Sequence, residues 1–449
     1  MAKRQKRLDP VVATPRVANP NAAAIDVGGE AHFVAVPTDR DPQPVRSFGP
    51  FTSDLAQMVR WLKDCRIDTI VLESTGHFWV PVYDVLEAAG FEVVLVDPRT
   101  LTRHLRKKSD VIDCQWLQDL HAVGLLKGCF RPDDQVRALR ALWRHRARLV
   151  VEAGKLLQRI QKVLIEMNVH LHLAVADIAG ATGMRIIRAI VKGERNPGKL
   201  AKLRDPNCKR DEAEIARALE GSWRDEHLFE LKQLLEAWDF HRTQTNACDR
   251  RIAQQCGAFP DQGQDRPLPE AAKRPQDHRN TPEFDGRAII HRMTGVDLTS
   301  VDGFGVNTVL TVLSETGPDL SKWPSAKHFA SWTKLAPRRD QSGKRIRSPS
   351  YPARGASRVA QAFRLAARGL WRSESVLGHF LRRMKSRLGP ASAIRATAHK
   401  LAKLFWRLMT TKATYVRGDM AAEEERLRHR RLKTLERQAK ELGMKLAPA

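Results

Sequence analysis

The chain has 449 residues and carries 77 Lys+Arg against 51 Asp+Glu, a formal net charge of +26. Its 42% hydrophobic content suffices for packed cores, which excludes a wholly disordered basic protein, and its length points to several domains. No run of about 18 apolar residues marks a membrane-spanning helix and the N-terminus lacks the apolar stretch of a secretory signal, so a cytoplasmic protein with no membrane partner is expected.

Residues 23–125 alternate strand and helix signals. Residues 23–27 read as a short buried strand, Gly28 and Gly29 as a turn, and residues 32–36 as the hairpin partner. A strand at 45–48 would complete an antiparallel meander. Residues 53–62 are predicted helical, with Leu55, Met58, Val59 and Leu62 on one face and Thr52 or Ser53 as N-cap. A buried strand (69–72), a helix (81–89), a strand (92–96) and a helix (110–123) follow. Three strands in a meander, then helix, strand, helix, strand, helix, is the order of an α/β ribonuclease H-like fold, placed over residues 20–130.

From 131 to 257 the strand signal vanishes. Leu142, Leu149, Leu156 and Val163 recur every seven residues, with Ala153, Ile160 and Met167 completing a coiled-coil-like seam. Leu228, Leu231, Leu235 and Trp238 mark a second arm, and the turn-rich segment between the arms predicts a helical tip. Such a hairpin either dimerises or forms an ordinary bundle. Residues 258–285 carry five prolines and few apolar side chains and read as a linker. Helical periodicity then dominates at 307–313, 326–332, 353–371, 376–387 and 391–410, giving a mainly α C-terminal domain over 286–415 and a charged, solvated helical tail over 416–449.

In a ribonuclease H-like fold catalytic carboxylates sit in the first strand, at the end of the fourth and on the last helix. Those places hold Asp26, Glu73, and Asp110 with Asp113, whose i, i+3 spacing puts both on one helix face. An acidic pair is also what a helix N-terminus favours for its dipole, so Asp110 and Asp113 alone are weak evidence. Asp26 and Glu73 strengthen the case because they stand in or close apolar strands, where a carboxylate is otherwise disfavoured. Four crowded carboxylates need a hard cation, and Mg2+, with Mn2+ as substitute, matches oxygen ligands and phosphodiester chemistry. The Ala-Ile-Asp-Val-Gly-Gly stretch also looks like the phosphate-binding hairpin of actin-like sugar kinases. That fold needs a second Asp-Gly hairpin, and none follows before residue 300.

The charge is uneven. Residues 338–449 hold 28 Lys+Arg and 8 Asp+Glu, a net of 28 − 8 = +20, so a nucleic-acid footprint is expected there, against the plainer reading of a solvated basic surface. Gly303 and Gly305, opening a helical stretch, follow the helix-hairpin-helix pattern whose amides contact a phosphate, or else form a simple interhelical turn. Ser342 lies in a short polar loop flanked by Arg338, Arg339, Lys344, Arg345 and Arg347, suited to meet a phosphate as nucleophile or as mere hydrogen-bond donor. Ser348, Ser350 and Ser357 are nearby competitors. Six cysteines without a C-x-x-C pair suggest neither disulfides nor a zinc site, so they should be reduced and mostly buried.

Asp26, Glu73, Asp110 and Asp113, the helical middle, the G-x-G helix opening, KLAPRRDQSGKR and RGASRVAQAFRLAA together resemble the transposases of the insertion sequence 110 family, over about residues 20–415. The resemblance implies an N-terminal RuvC-like domain with a DEDD tetrad, a coiled-coil region, and a C-terminal transposase domain with a nucleophilic serine, matched here by Ser342. It also implies recombination of donor and target double-stranded DNA guided by a noncoding bridge RNA, a phosphoserine intermediate, and a homodimer or homotetramer acting at the nucleoid. The long Pro-rich stretch and extended tail depart from the family pattern. Two other readings stand beside it: a RuvC-like metal-dependent structure-selective nuclease without covalent intermediate, and a non-catalytic basic scaffold.

Overall fold

The computed structural model describes residues 17–74, 76–97, 109–270, 279–337, 341–342, 345–346, 357–418 and 420–445. The chain divides into two compact units, Met1–Arg131 and Pro132–Ala449.

The first unit contains β1 (Ala22–Val27), β2 (His32–Ala35), β3 (Val45–Phe48), α1 (Thr52–Asp64), β4 (Thr69–Glu73), α2 (Trp79–Ala88), β5 (Glu92–Val96) and α3 (Asp110–Ala122). The sheet order is β3-β2-β1-β4-β5, antiparallel on the β2 side of β1 and parallel on the β4 side. Strand side chains alternate between faces. Ala23, Ile25, Ile70 and Leu72 therefore pack with Leu55 and Met58 of α1 and Val82 of α2, whereas Ala24, Val71 and Val96 pack with Cys114 and Leu117 of α3. Covered on both faces, β1 and β4 are almost wholly apolar, as a sandwiched central strand must be. Gly28 closes the β1–β2 turn, where a Cβ would stand 2.5 Å from the Ala31 carbonyl oxygen.

The second unit opens with α4 (Asp134–Glu166) and closes its hairpin with α9 (Asp225–Gly257), each 33 residues long. Between them α5 (Leu171–Ala174), α6 (Ala181–Val191), α7 (Pro197–Ala201) and α8 (Glu212–Ala218) form the tip, with Ile186, Ile187, Ile190, Leu200 and Ile215 in one core with both arms. Of the predicted seam, Ala153, Ile160, Val163 and Met167 are buried and Leu142, Leu149 and Leu156 half-buried, with Leu139, Trp143, Leu157 and Leu164 buried beside them. The N-terminal part of α4 also meets α11: Trp143 Nε1 donates to Thr311 Oγ1 at 2.9 Å, and Arg144 forms a two-pronged bond with the Glu315 carboxylate at 2.8 and 2.7 Å. Within the hairpin, buried Arg146 pairs with buried Asp249 and also donates to the Asn280 carbonyl oxygen at 3.2 Å.

The described residues of the predicted linker are mostly exposed, with single anchors near each end. Phe259 and Pro282 are buried, Gln262 N donates to Arg292 O at 2.7 Å, and Asn307 donates to Asn280 O at 3.0 Å. The remaining elements are α10 (Gly286–Thr294), α11 (Val306–Thr316), α12 (Ala326–Trp332), β6 (Gln341–Ser342), β7 (Arg345–Ile346), α13 (Arg358–Gly369), α14 (Val376–Leu388), α15 (Pro390–Thr411) and α16 (Met420–Glu441). Phe304, Phe329, Phe363 and Phe405 fill the centre of this helical region with ring centroids 5.7–6.5 Å apart. The helix predicted over 353–371 starts at Arg358, because Ser357 is extended and caps it, accepting from Ala360 N at 3.1 Å.

Candidate active site and nucleic-acid interface

Asp26 and Glu73 are brought side by side. In the parallel β1–β4 register Ile25 faces Leu72, so the next positions are Asp26 and Glu73, at the carboxyl ends of neighbouring strands. Both follow the parity of Ala24 and Val71, which places them on the α3 face of the sheet.

Helix α3 lies across that face in the opposite sense to β1. Gln118 Nε2 donates to Ala22 O at 3.1 Å, and Cys114 Sγ donates to Ala24 O at 3.3 Å and to Phe33 O at 3.1 Å. His121 meets Thr69, the first residue of β4, at 3.0 Å. Four helical residues rise about 6 Å and two strand residues about 6.6 Å, so the pairing of 118 with 22 and 114 with 24 continues to 110 with 26. The first turn of α3, holding Asp110 and Asp113, therefore reaches the strand ends that carry Asp26 and Glu73. Ser109 caps this turn by accepting from Ile112 N at 3.2 Å.

Burial grades the four acids. Glu73 and Asp113 are each 8% exposed, Asp26 is half-buried and Asp110 is open to solvent. Carboxylates offer oxygen donors only, which suit a hard divalent cation and offer little to a soft one. Burial beneath the sheet pushes the Cys114 thiol up to about 12, with the Asp26 charge adding to the effect, so Cys114 is a neutral anchor for α3. Cys114 and Gln118 position the site and were missed by sequence reasoning, since nothing local marks a thiol or an amide as an anchor. Asp97, directly after β5 at the same end of the sheet, was also passed over, although an acid closing an apolar strand is the signal that marked Glu73.

Among the described residues, the group whose ligand atoms lie within 4.8 Å of one another is not these four acids but Glu166, His227 and Glu230, where α4 ends and α9 begins. Glu166 also lies 3.5 Å from Lys162 and 3.9 Å from His227, so ordinary ion pairing accounts for this largely exposed group.

The two glycines of the second unit separate in role. Gly303 has φ +91°, and a Cβ there would stand 3.0 Å from the Ala366 carbonyl oxygen and 3.2 Å from Leu370, so this glycine lets the turn lie against α13. Gly305 is the N-cap of α11, without a side-chain cap and with open space around its Cβ position. Ser342 lies in β6 and pairs with Arg345 of β7 in a two-stranded antiparallel ladder. Arg338, Arg339, Lys344, Arg347, Ser348 and Ser350 lie outside the described residues. Ser357 is engaged as the α13 cap and donates to Thr333 O at 3.3 Å, which argues against it as a nucleophile.

Residues 23–169 match a family model of the DEDD type described as a transposase, and residues 297–380 match one described as a transposase of the IS116/IS110/IS902 family. The two cover just over half the chain; the first includes all four acids and the second includes Gly303, Gly305 and Ser342. No curated protein matches the chain.

Proposed function

The chain belongs to the IS110 family of transposases, and from that premise we propose that it cuts and rejoins donor and target duplex DNA through the acidic site on the first unit and Ser342 on the second. The observation that carries this reading is the placement of Asp26 and Glu73 at adjoining strand ends by the β1–β4 register, with α3 directed toward the same end by the bonds of Cys114 and Gln118 to β1. These acids would hold Mg2+, with Mn2+ substituting; when bound, such an ion neutralises the carboxylates and polarises a phosphate oxygen.

In this mechanism the acids position the scissile phosphate and Ser342 Oγ attacks it. A bond from Oγ to phosphorus forms as the bond from phosphorus to one sugar oxygen breaks; the serine proton is lost and the leaving oxygen gains one. The resulting phosphoserine retains the phosphodiester energy for rejoining a second strand. Basic groups on both sides of Ser342 in the sequence supply positive charge for the added negative charge of the transition state. Selection of the sites is assigned to a bridge RNA, and the working assembly to a homodimer or homotetramer, both on the strength of the family.

The test is a suicide DNA substrate with bridge RNA and Mg2+. Wild type should give a covalent protein–DNA adduct, Ser342→Ala should give none while keeping nucleic-acid binding, and Asp26→Asn should bind but neither cut nor form the adduct. Cutting by wild type without any adduct would replace this mechanism with hydrolysis by a RuvC-like nuclease. Full activity in both variants would leave only a nucleic-acid scaffold.

A further inference from the structure

Between residues 341 and 418 the sequence has eighteen Lys and Arg and a single acid, Glu374. Helices α14 and α15, joined through Gly389, hold eight of these cations and no Asp or Glu. Several are seated on aromatic rings. Lys385 Nζ lies 4.8 Å from the centre of the Trp371 ring, while Lys400 Nζ and Arg383 Cζ lie 4.4 and 5.5 Å from that of Phe380.

The turn that carries Trp371 is tied to α14. Arg382 donates to Trp371 O at 3.3 Å and to Ser373 O at 2.7 Å, tying the turn before α14 to the helix. Gly378 lets α14 approach that turn, since a Cβ there would come 2.1 Å from Ser373 O. Trp371 and Phe380 are both half-buried.

We propose that the α14–α15 hairpin grips the phosphate backbone of duplex DNA through Lys385, Arg383 and Lys400, with Trp371 and Phe380 as positioning residues that hold those cations in place. This rests on the proposed DNA-processing function and deepens it by naming a contact surface. A lysine otherwise free to sample many rotamers loses that freedom on meeting a phosphate, and a ring under its ammonium group has already removed part of the loss. Cations fixed on rigid helices match a regular polyanion, and the substrate of a transposase is duplex DNA. Trp371 and Phe380 lie within the stretch matched by the second transposase family model.

The experiment measures affinity of the full chain for a short fluorescent duplex of arbitrary sequence, and for a structured RNA of similar length, across a salt series. Lys385→Gln and Lys400→Gln should each weaken duplex binding roughly five- to tenfold at ~0.1 M salt and lower the log-log salt slope by about one. Phe380→Leu should reproduce the Lys400→Gln loss although it removes no charge, the two changes together should exceed either by little, and Phe380→Tyr should restore binding. A Phe380→Leu protein that is folded by circular dichroism yet keeps the wild-type slope overturns the positioning role. Should that variant fail to fold, the lysine variants still decide the surface, and unchanged slopes in both overturn it. Loss confined to the RNA arm overturns the assignment to DNA. A wild-type chain that binds neither nucleic acid defeats the transposase mechanism itself, an outcome distinct from failure of this surface alone.

Discussion

Gly303 and Gly305 share one sequence motif, and their alanine variants should behave in opposite ways. At Gly303 the backbone sits at φ +91°, where an L-residue costs about 1–2 kcal/mol. The new methyl would also stand 3.0 Å from the Ala366 carbonyl oxygen and 3.2 Å from Leu370 Cγ. Ala366 is a buried residue inside α13 whose carbonyl cannot withdraw without disturbing that helix, so overpacking adds about 1–3 kcal/mol. Gly303→Ala should therefore lower stability by about 2–5 kcal/mol. Gly305 has φ −92° and nothing within 4 Å of a Cβ, so Gly305→Ala should cost at most about 1 kcal/mol, the difference between glycine and alanine at an N-cap. Urea unfolding followed by tryptophan fluorescence measures both, since Trp323, Trp332, Trp371 and Trp406 report on this helical region. A Gly303→Ala protein within ~0.5 kcal/mol of wild type would refute the packing argument. Only Gly305→Ala can then report on phosphate contact at the α11 N-terminus, because a weakened Gly303 variant loses affinity through its fold.

Asp249→Ala strands a buried Arg146 in the hairpin and should cost about 3–5 kcal/mol in the same unfolding assay, whereas the joint change Arg146→Met with Asp249→Leu should recover most of that loss; equal losses in single and double variants would show that the pair is not the cause. Burial pushes the Cys114 and Cys256 thiols up to about 12, so at pH 8 iodoacetamide should label exposed Cys129 and spare both until the chain is unfolded, as read by mass spectrometry of digests. The same two raised values mean that the folded state favours the neutral thiol. Their contribution to stability is full below the unfolded thiol value near ~8.5 and is lost as pH rises toward the folded value, so unfolding midpoints should fall on the alkaline side.

The α/β sheet and its acids were legible because strand and helix periodicities are local. Apolar runs of about five residues, turn glycines and an i, i+3 acidic pair are properties of neighbouring residues, and the elements from β1 to α3 all fall within two residues of the predicted spans. The long arms, Leu231, Leu235 and Trp238 in their core, and the helical tip were equally readable. Tertiary structure alone decided which faces meet. Arg146 and Asp249 are 103 residues apart, and Cys114 reaches Ala24 across 90, so no local pattern announces either contact. The N-terminal part of α4 meets Thr311 and Glu315, more than 160 residues away, a contact that the heptad spacing could not announce. The proline-rich stretch reads as a linker because it has few apolar groups, and which of them, Phe259 and Pro282, are buried is decided by their neighbours in the fold. Gly303 and Gly305 were equivalent as letters. Only the approach of α13 separates them, because a glycine is required by whatever backbone comes close to it, and that neighbour lies 63 residues further along the chain.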